Sequence, residues 1–302
     1  MERVAPLFTD NIKVHFAGAE TQNQFAATKA MGVKYHLYSA YPFIERKIFE
    51  KHKSPIMCIY DWQKKNPYMI PQFIIQNSKR CIQDSGLYTL MFGSQKGKKD
   101  ENLMDKWYSQ LVEFTLEYAK DAIAVEVDCQ KVLGTKKAWE YRKKMRDDIP
   151  NRIINVFHSE DGQKGLEELI EFSNYLAISV PELRIAKQKT YKEDVYRLAS
   201  YIKNKKPSID IHLLGCTELE MLKTNKFCNS SDSTTYIASK RYGFMQSKWH
   251  ISTIKFDEVK KLVGEDIYNE VLQFNSPKNT SMLLLTIYDL LNKYRQYAGN
   301  QD

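Results

Sequence analysis

The chain has 302 residues, of which 43% are hydrophobic and 27% are charged, and this balance is typical of a soluble globular protein. The length suits either one eight-stranded α/β barrel, which needs roughly 250 residues, or two smaller domains. The formal net charge of +8 favours a polyanionic partner such as a nucleic acid.

The amino-terminal sequence MERVAPLFTDN lacks the apolar segment of a signal peptide. No run approaches the about 18 apolar residues of a membrane span, so we expect a cytoplasmic protein without a membrane partner. The five cysteines contain no CxxC pair, which excludes a zinc site of that type. Scattered cysteines of this kind are typical of reduced, mostly buried thiols.

Short β-branched runs alternate with longer segments of helical period, and this alternation predicts βαβ units. The eight candidate strands are Ile12–Phe16, Lys34–Tyr38, Arg80–Gln83, Ala122–Val127, Ile153–Phe157, Leu176–Ser179, Ile209–Leu214 and Phe227–Ser230. Ile56–Tyr60 is a ninth candidate, which could also be a helix or an edge hairpin. Eight strands predict an α/β fold, namely a (β/α)8 TIM-type barrel.

Amphipathic segments between and after these strands predict the helices. They are Asn102–Lys120, Lys136–Arg146, Gly165–Asn174, Tyr191–Lys203, Lys255–Gly264 and Asn279–Tyr297. No repeat or Pro/Gly-rich linker divides the chain, so we predict one domain over residues 1–302. The barrel would occupy roughly residues 12–250 and a C-terminal helical extension roughly residues 251–302, without a zinc subdomain.

Polar residues gather at the ends of the predicted strands. They are Asp84-Ser85-Gly86, Glu126-Val127-Asp128, His158-Ser159-Glu160, Ser179, Gly215-Cys216-Thr217 and Asp232-Ser233-Thr234. Each could instead form a turn or a helix cap. In a (β/α)8 barrel, however, the C-terminal strand ends form the active-site face, where these residues would meet.

Three carboxylates and a histidine at one barrel mouth suit displacement at the C1′ atom of a nucleoside sugar. A carboxylate can stabilise the oxocarbenium-like transition state or capture the sugar covalently, while a second carboxyl group handles the leaving group's proton. A buried carboxylate can also accept hydrogen bonds from the N1–H and the exocyclic amine of a guanine-like base.

Four short segments recur here in the order of a known family: IQDSGLYTLMFG, AVEVDCQKVLG, NVFHSEDG and SSDSTTY. Over roughly residues 12–245 the chain resembles the tRNA-guanine transglycosylase superfamily. The closer likeness is to its phage-type members, which are thought to place 7-deazaguanine bases in DNA. The resemblance implies a pentosyltransferase that replaces guanine in DNA with a 7-deazaguanine derivative, such as 7-cyano-7-deazaguanine. If the chain is phage-encoded, the host cytoplasm is the expected location.

The resemblance also implies roles for individual residues. Asp232 matches the nucleophile that attacks C1′, and Asp84 matches the second catalytic carboxylate. Asp128 matches the residue that binds the guanine face, and His158 stands where the tRNA enzymes usually carry a Gln that touches the base. Further base-binding candidates are Ser179 and Gly215, with Ser85 and Glu126 in second rank.

Two departures from the tRNA enzymes favour DNA as the substrate. Those enzymes bind zinc through a CxCxxC…H set beyond the nucleophile, whereas this chain has no cysteine after Cys228. They also carry Gly-Gly where this chain has Ile178-Ser179. We therefore expect no metal, no cofactor, and DNA and a free 7-deazaguanine base as partners, with the oligomeric state left open.

Residues near the catalytic segments could contact the nucleic acid. Lys240, Arg241 and Lys248 follow the Asp232 segment and could bind phosphates, although solvated surface cations are as common. Aromatic residues near the same segments could stack on a base, although each more often packs in a core. They are Tyr88, Phe92 and Tyr236.

Three other functions fit the same residues. The exchange could act on tRNA, or water could resolve the intermediate and release the base, as in a glycosidase. The third alternative is a nucleic-acid-binding barrel without catalytic activity.

Overall fold

The computed structural model describes residues 12–45, 71–87, 101–237 and 255–298, and it confirms the predicted α/β barrel. Eight parallel strands close into a ring in sequence order, with the last strand paired to the first. The strands are β1 (Lys13–Ala17), β2 (Tyr35–Ser39), β3 (Arg80–Asp84), β4 (Ile123–Val125), β5 (Ile153–Phe157), β6 (Tyr175–Ser179), β7 (Asp210–Leu214) and β8 (Ser230–Ser233).

Helices surround this ring. They are α1 (Gln22–Ala30), α2 (Tyr41–Glu45), α3 (Pro71–Gln76), α4 (Glu101–Tyr118), α5 (Gln130–Asp148), α6 (Gly162–Phe172), α7 (Val180–Ala186), α8 (Tyr191–Lys205), α9 (Leu219–Thr224), α10 (Phe256–Val263), α11 (Glu265–Leu272) and α12 (Pro277–Ala298). The six predicted helices correspond to α4, α5, α6, α8, α10 and α12. The ninth candidate strand, Ile56–Tyr60, lies outside the described residues.

The last strand differs most from its prediction. Phe227–Ser230 was the apolar candidate, whereas the strand that pairs with β1 and β7 is Ser230–Ser233. Phe227 instead packs on the helix layer, with its ring 5.9 Å from that of Tyr196. The four residues of β8 are all polar, and they form a strand because their backbone pairs with β1 on one side and with β7 on the other, where the ring closes.

The barrel interior combines an apolar cluster with buried polar side chains of β1, β7 and β8. One buried cluster contains side chains from β1 to β6, with Leu214 of β7 packed against it: Ala17, Leu37, Ile82, Ile123, Val125, Ile154, Val156, Tyr175 and Ala177. Outward-facing strand residues pack against the helices in two larger clusters. The C-terminal helices α10, α11 and α12 share the first of these with β1, β6 and β7, so they complete the helix layer.

A charged layer occupies the opposite end of the interior, where the strands begin. Side chains alternate along a strand, so residues two positions before interior ones also point inward. They are Lys13, Arg80 and Asp210 of β1, β3 and β7, together with Arg152, which directly precedes β5. Arg152 pairs with Asp210, and its guanidinium lies 4.7 Å from the centre of the Tyr175 ring. Burial lowers the pKa of Lys13, and neighbouring cations lower it further.

Two further observations concern the described cysteines and helices. Cys81, Cys129, Cys216 and Cys228 are buried free thiols, while Cys58 lies outside the described residues. Within the described ranges, every helix is too short or too polar to cross a bilayer.

Candidate active site

Carboxylates from several strands meet at the C-terminal mouth of the barrel. Asp84 ends β3, Asp232 lies in β8, and Asp128 follows β4. Burial raises the pKa of Asp84 to about 7, and the charges of Asp128, Asp232 and Glu20 raise it as well, against a hydrogen bond from the Gly86 N–H. These carboxylates are therefore close enough to repel one another electrostatically.

Asp232 is held through one of its two oxygens. The backbone N–H of Gly215 donates to Oδ1 at 2.8 Å, and Nε2 of His212 lies 3.2 Å from the same atom. Within the described part of the chain, both contacts are made to Oδ1 and neither to Oδ2. The side chain keeps 13% of its surface exposed, so a substrate at the mouth can reach it.

A buried hydrogen-bond chain continues below Asp232. Nδ1 of His212 lies 2.5 Å from the hydroxyl of Ser230, which is also bonded to the hydroxyl of Tyr175. All three side chains are fully buried inside the barrel. The ring of His15 lies 6.2 Å from that of His212, and burial lowers the pKa of His15 well below its usual range.

His158 is clamped between two carboxylates on the other side of the mouth. Its Nε2 lies 3.1 Å from Asp128 and its Nδ1 lies 2.6 Å from Glu182. Burial alone would lower the pKa of His158, but the two hydrogen bonds and charges raise it to about 9. His158 is therefore an imidazolium at neutral pH, and its position orients Asp128.

The same region contains a group that could hold a metal ion. Among the described residues, the possible ligand atoms of His158, Glu160 and Glu182 lie within 4.8 Å of one another. Lys131 forms an ion pair with Glu182 at 3.2 Å. At neutral pH, Lys131 and protonated His158 already supply positive charge to Glu182.

Two base-pocket candidates also lie at the mouth. Ser179 ends β6. It lies two residues after Ala177, which faces the barrel interior, so Ser179 is on the same interior face. Gly215 follows β7 with φ +61°, a backbone conformation that glycine adopts without strain. A Cβ atom there would lie 2.7 Å from Cγ of Pro181, so the loop approaches α7 too closely for another residue.

Two candidates are engaged elsewhere, and the structure does not bring them into the mouth. Glu126 points into the helix layer, where Nε of Arg142 donates to both of its oxygens at 2.9 and 3.1 Å. Asn155 and the N–H of Val156 donate to the same carboxylate. With all these donors, Glu126 serves a structural ion pair, and its oxygens do not face a base at the mouth.

Ser85 is 1% exposed, and it lies against α4. Its carbonyl oxygen accepts a hydrogen bond from the indole N–H of Trp107 at 3.1 Å. Its hydroxyl accepts a 3.4 Å contact from the N–H of Leu87, which stabilises the turn after β3. This buried position supports the turn that carries Asp84 and does not suit direct contact with a base.

Lys240, Arg241 and Lys248 lie outside the described residues, as do Tyr88 and Phe92. Tyr236 is 1% exposed, and its ring packs 5.2 Å from that of Phe16 in the outer core. Tyr236 is therefore a packing residue and not a surface for base stacking.

Three residues at or below the mouth escaped the sequence prediction. Glu20 follows β1 and accepts a hydrogen bond from the N–H of Ser39, and Glu182 lies three residues beyond β6. His212 lies inside β7, where a histidine resembles an ordinary core residue. An alternation count from Asp210 would have placed His212 on the interior face.

This arrangement provides three elements of substitution chemistry at one mouth. Asp232 supplies a fixed carboxylate, Asp84 a carboxyl group that exchanges its proton near neutral pH, and the Asp128–His158 pair an oriented acceptor. The surplus of negative charge favours a reacting group that becomes cationic. No protein-family model matches the chain, and no curated protein sequence matches it.

Proposed function

We propose that this protein is a base-exchange glycosyltransferase that replaces guanine in DNA with a 7-deazaguanine derivative, such as 7-cyano-7-deazaguanine. The observation that carries the proposal is the presence of two different carboxyl groups at one barrel mouth. Asp232 is oriented through Oδ1, and Asp84 has a pKa raised to about 7. A nucleophile and a proton-transfer group are the two functions that exchange at C1′ requires. The family resemblance of the strand-end segments supplies the identity of the base.

The reaction proceeds as two substitutions at C1′. An oxygen of Asp232 forms a bond to C1′ while the C1′–N9 bond breaks, and the bonding electron pair leaves with guanine. Guanine takes a proton from Asp84 as it departs. The incoming base then returns a proton to Asp84, and its nitrogen attacks C1′ and displaces the Asp232 carboxylate. Neither substitution needs an oxidant or a reductant.

Electrostatics supports this sequence. The transition state at C1′ is oxocarbenium-like, and neighbouring carboxylates stabilise its positive charge. Asp84 alternates between its acid and base forms most readily when its pKa lies near the working pH, and a value of about 7 meets that condition. Asp128, oriented by His158, is available to accept hydrogen bonds from the N1–H and amine of guanine.

DNA enters this scheme with its target nucleotide rotated out of the helix. A barrel mouth cannot reach C1′ and the base edge inside a duplex, so extrusion costs a few kcal/mol. The net charge of +8 provides an overall attraction for the phosphate backbone, while the acidic mouth receives the base and sugar. Phosphates therefore stay outside the mouth.

The test is covalent trapping and base exchange on DNA. The purified protein is incubated with guanine-containing duplex DNA and labelled 7-cyano-7-deazaguanine, with tRNA in a parallel reaction. We expect label in DNA and a protein–DNA adduct at Asp232. Asp232→Asn should abolish both and retain DNA binding, whereas Asp266→Asn on the exposed surface of α11 should change neither.

Each alternative function has its own outcome in the same experiment. Label in tRNA alone would replace DNA by tRNA as the substrate. Guanine release without incorporation of label would indicate hydrolysis. Full exchange by Asp232→Asn would refute the assignment of the nucleophile, and DNA binding without adduct, exchange or release by the unmodified chain would indicate a binding protein.

A further inference from the structure

We infer that His212, Ser230 and Tyr175 form a positioning chain that holds Oδ1 of Asp232 and leaves Oδ2 as the attacking oxygen. The inference rests on the proposed function and deepens it. Asp232 contacts the reacting sugar in that proposal, whereas the three residues below it act only through Asp232. His212 is therefore a positioning residue and not a catalytic one.

The contacts run without interruption from the mouth to the middle of the barrel. Oδ1 of Asp232 lies 3.2 Å from Nε2 of His212, and Nδ1 of His212 lies 2.5 Å from Oγ of Ser230. Oγ of Ser230 is in turn bonded to the hydroxyl of Tyr175. His212, Ser230 and Tyr175 are each 0% exposed, so water does not compete for these contacts.

The chemistry of the end group fixes the direction of every hydrogen bond. An ionised carboxylate only accepts, so Nε2 of His212 must carry the proton that faces Asp232. When the imidazole carries no second proton, Nδ1 is an acceptor, and the Ser230 hydroxyl donates to it. The oxygen of Ser230 is left to accept from the Tyr175 hydroxyl. With this form of His212, the positioning chain has one consistent set of donors, which ends on Oδ1 of Asp232.

The lower end of the chain is anchored. The Arg152 guanidinium lies 4.7 Å from the centre of the Tyr175 ring, and Arg152 also pairs with Asp210. Burial raises the pKa of Tyr175 to about 12, so its hydroxyl keeps its proton at neutral pH and remains a donor. A fixed aromatic donor at the bottom sets the orientation of Ser230, and through it the tautomer of His212.

The consequence concerns the rotation of the Asp232 carboxylate. The torsion about the bond to a carboxylate is broad, so the group turns freely unless its oxygens are bonded. Two donors on Oδ1, from His212 and the Gly215 N–H at 2.8 Å, restrict that rotation. Among the described residues no donor contacts Oδ2, so its lone pairs face C1′ and the approach geometry is set before the substrate arrives.

Two substitutions of His212 separate positioning from packing. His212→Leu removes the N–H donor and fills the same buried space with an apolar side chain. His212→Gln keeps an N–H group near the position of Nε2. We expect kcat of exchange to fall about 100-fold in His212→Leu, with the DNA dissociation constant unchanged, because misplacing a reacting group costs about that factor. His212→Gln should recover much of the lost rate, and Ser230→Ala should fall between them.

A measurement on the unmodified protein tests the donor pattern without using activity. The nitrogen-15 chemical shifts of the His212 ring distinguish a proton on Nε2 from one on Nδ1. We expect the Nε2–H tautomer in the free protein, and a mixture of tautomers in Ser230→Ala. This readout stays decisive if a His212 variant does not fold.

The outcomes distinguish this inference from the proposed function. Failure of the unmodified protein to form an adduct would refute the proposed function. The nitrogen-15 shifts would still show whether His212 has the tautomer that the positioning chain requires. Three results would each contradict the positioning chain. They are an Nδ1–H tautomer of His212, a normal kcat in His212→Leu, and equal losses of kcat in the Leu and Gln variants.

Discussion

Asp84 lies in an environment that differs strongly from that of a surface carboxyl group. Burial and the charges of Asp128 and Asp232 raise its pKa to about 7, whereas the hydrogen bond from the Gly86 N–H opposes the shift. A carboxyl group with this pKa is half protonated near neutral pH, so it can donate a proton in one half-reaction and accept one in the next.

This raised pKa predicts the pH dependence of adduct formation. The departing guanine needs the protonated form of Asp84, whose fraction falls as the pH rises through about 7. The rate of adduct formation measured in single turnovers should therefore fall between pH 6 and 8. Asp84→Asn should be slower by about 100-fold or more and should lose this pH dependence. A rate that increased through this range would contradict the role of Asp84 as the acid.

The sequence predicted the residues that end strands better than those inside or beyond them. Asp84, Asp128, His158 and Asp232 reach the mouth because a short polar segment follows an apolar run at each position. His212 was missed because a single histidine within a strand carries no local signal. Its importance arises from contact with β8, which lies in sequence beyond it.

At the scale of elements, Glu126 connects strand β4 to helix α5 and strand β5. Its carboxylate receives Arg142 of α5 together with Asn155 and the N–H of Val156 in β5. Arg142 and Glu126 are 0% and 1% exposed, and Arg142 also pairs with Asp161 at 3.2 Å. Sequence reasoning placed Glu126 in the mouth because it shares a segment with Asp128. β4 ends at Val125, so the alternation of a strand does not extend to Asp128, whereas Glu126 continues on the outer side where Ala124 packs.

Glu126→Gln tests this structural role. Removing one partner of a buried ion pair leaves Arg142 insufficiently compensated, and we expect the free energy of unfolding to fall by about 3 kcal/mol. Urea unfolding measures this loss, and the exposed Glu168→Gln control should change the free energy by less than about 1 kcal/mol. Adduct formation per folded molecule should stay normal. An unchanged stability with loss of adduct formation would restore the base-binding role of Glu126.

The boundaries of the elements show where sequence patterns fail. β5 was predicted without error because its apolar residues are flanked by polar ones. β8 was predicted three residues early because Phe227 and Cys228 carry the apolar signal, although both pack outside the ring. A strand of serines and aspartate has no propensity signal of its own, and its pairing with β1 and β7 makes it a strand.

At the scale of the whole molecule, the barrel has chemically different ends. The mouth carries carboxylates, while the layer at the strand starts contains three cations and one anion: Lys13, Arg80, Arg152 and Asp210. Within this layer Asp210 is the acidic partner of Arg152, and its side chain is only 10% exposed.

Asp210→Asn should therefore destabilise the entire barrel. The charge of the layer would rise from +2 (three cations, one anion) to +3, and the Arg152 guanidinium would lose its partner. We expect the free energy of unfolding to fall by about 3 kcal/mol. Thermal melts would detect this, and sulfate should restore more stability to the variant than to the unmodified chain. Equal melting temperatures for the two proteins would show that the layer is already neutralised.

Closure of the ring by β8 makes the order of synthesis matter for this protein. Lys13 and Ser230 are adjacent across the seam although most of the chain separates them, so β1 waits unpaired on one side until β8 leaves the ribosome. The two open edges, on β1 and β7, are templates for pairing with another chain during that interval. The strand that carries Asp232 is thus also the one that ends this exposure, and a nascent chain cannot acquire its nucleophile before it closes its fold.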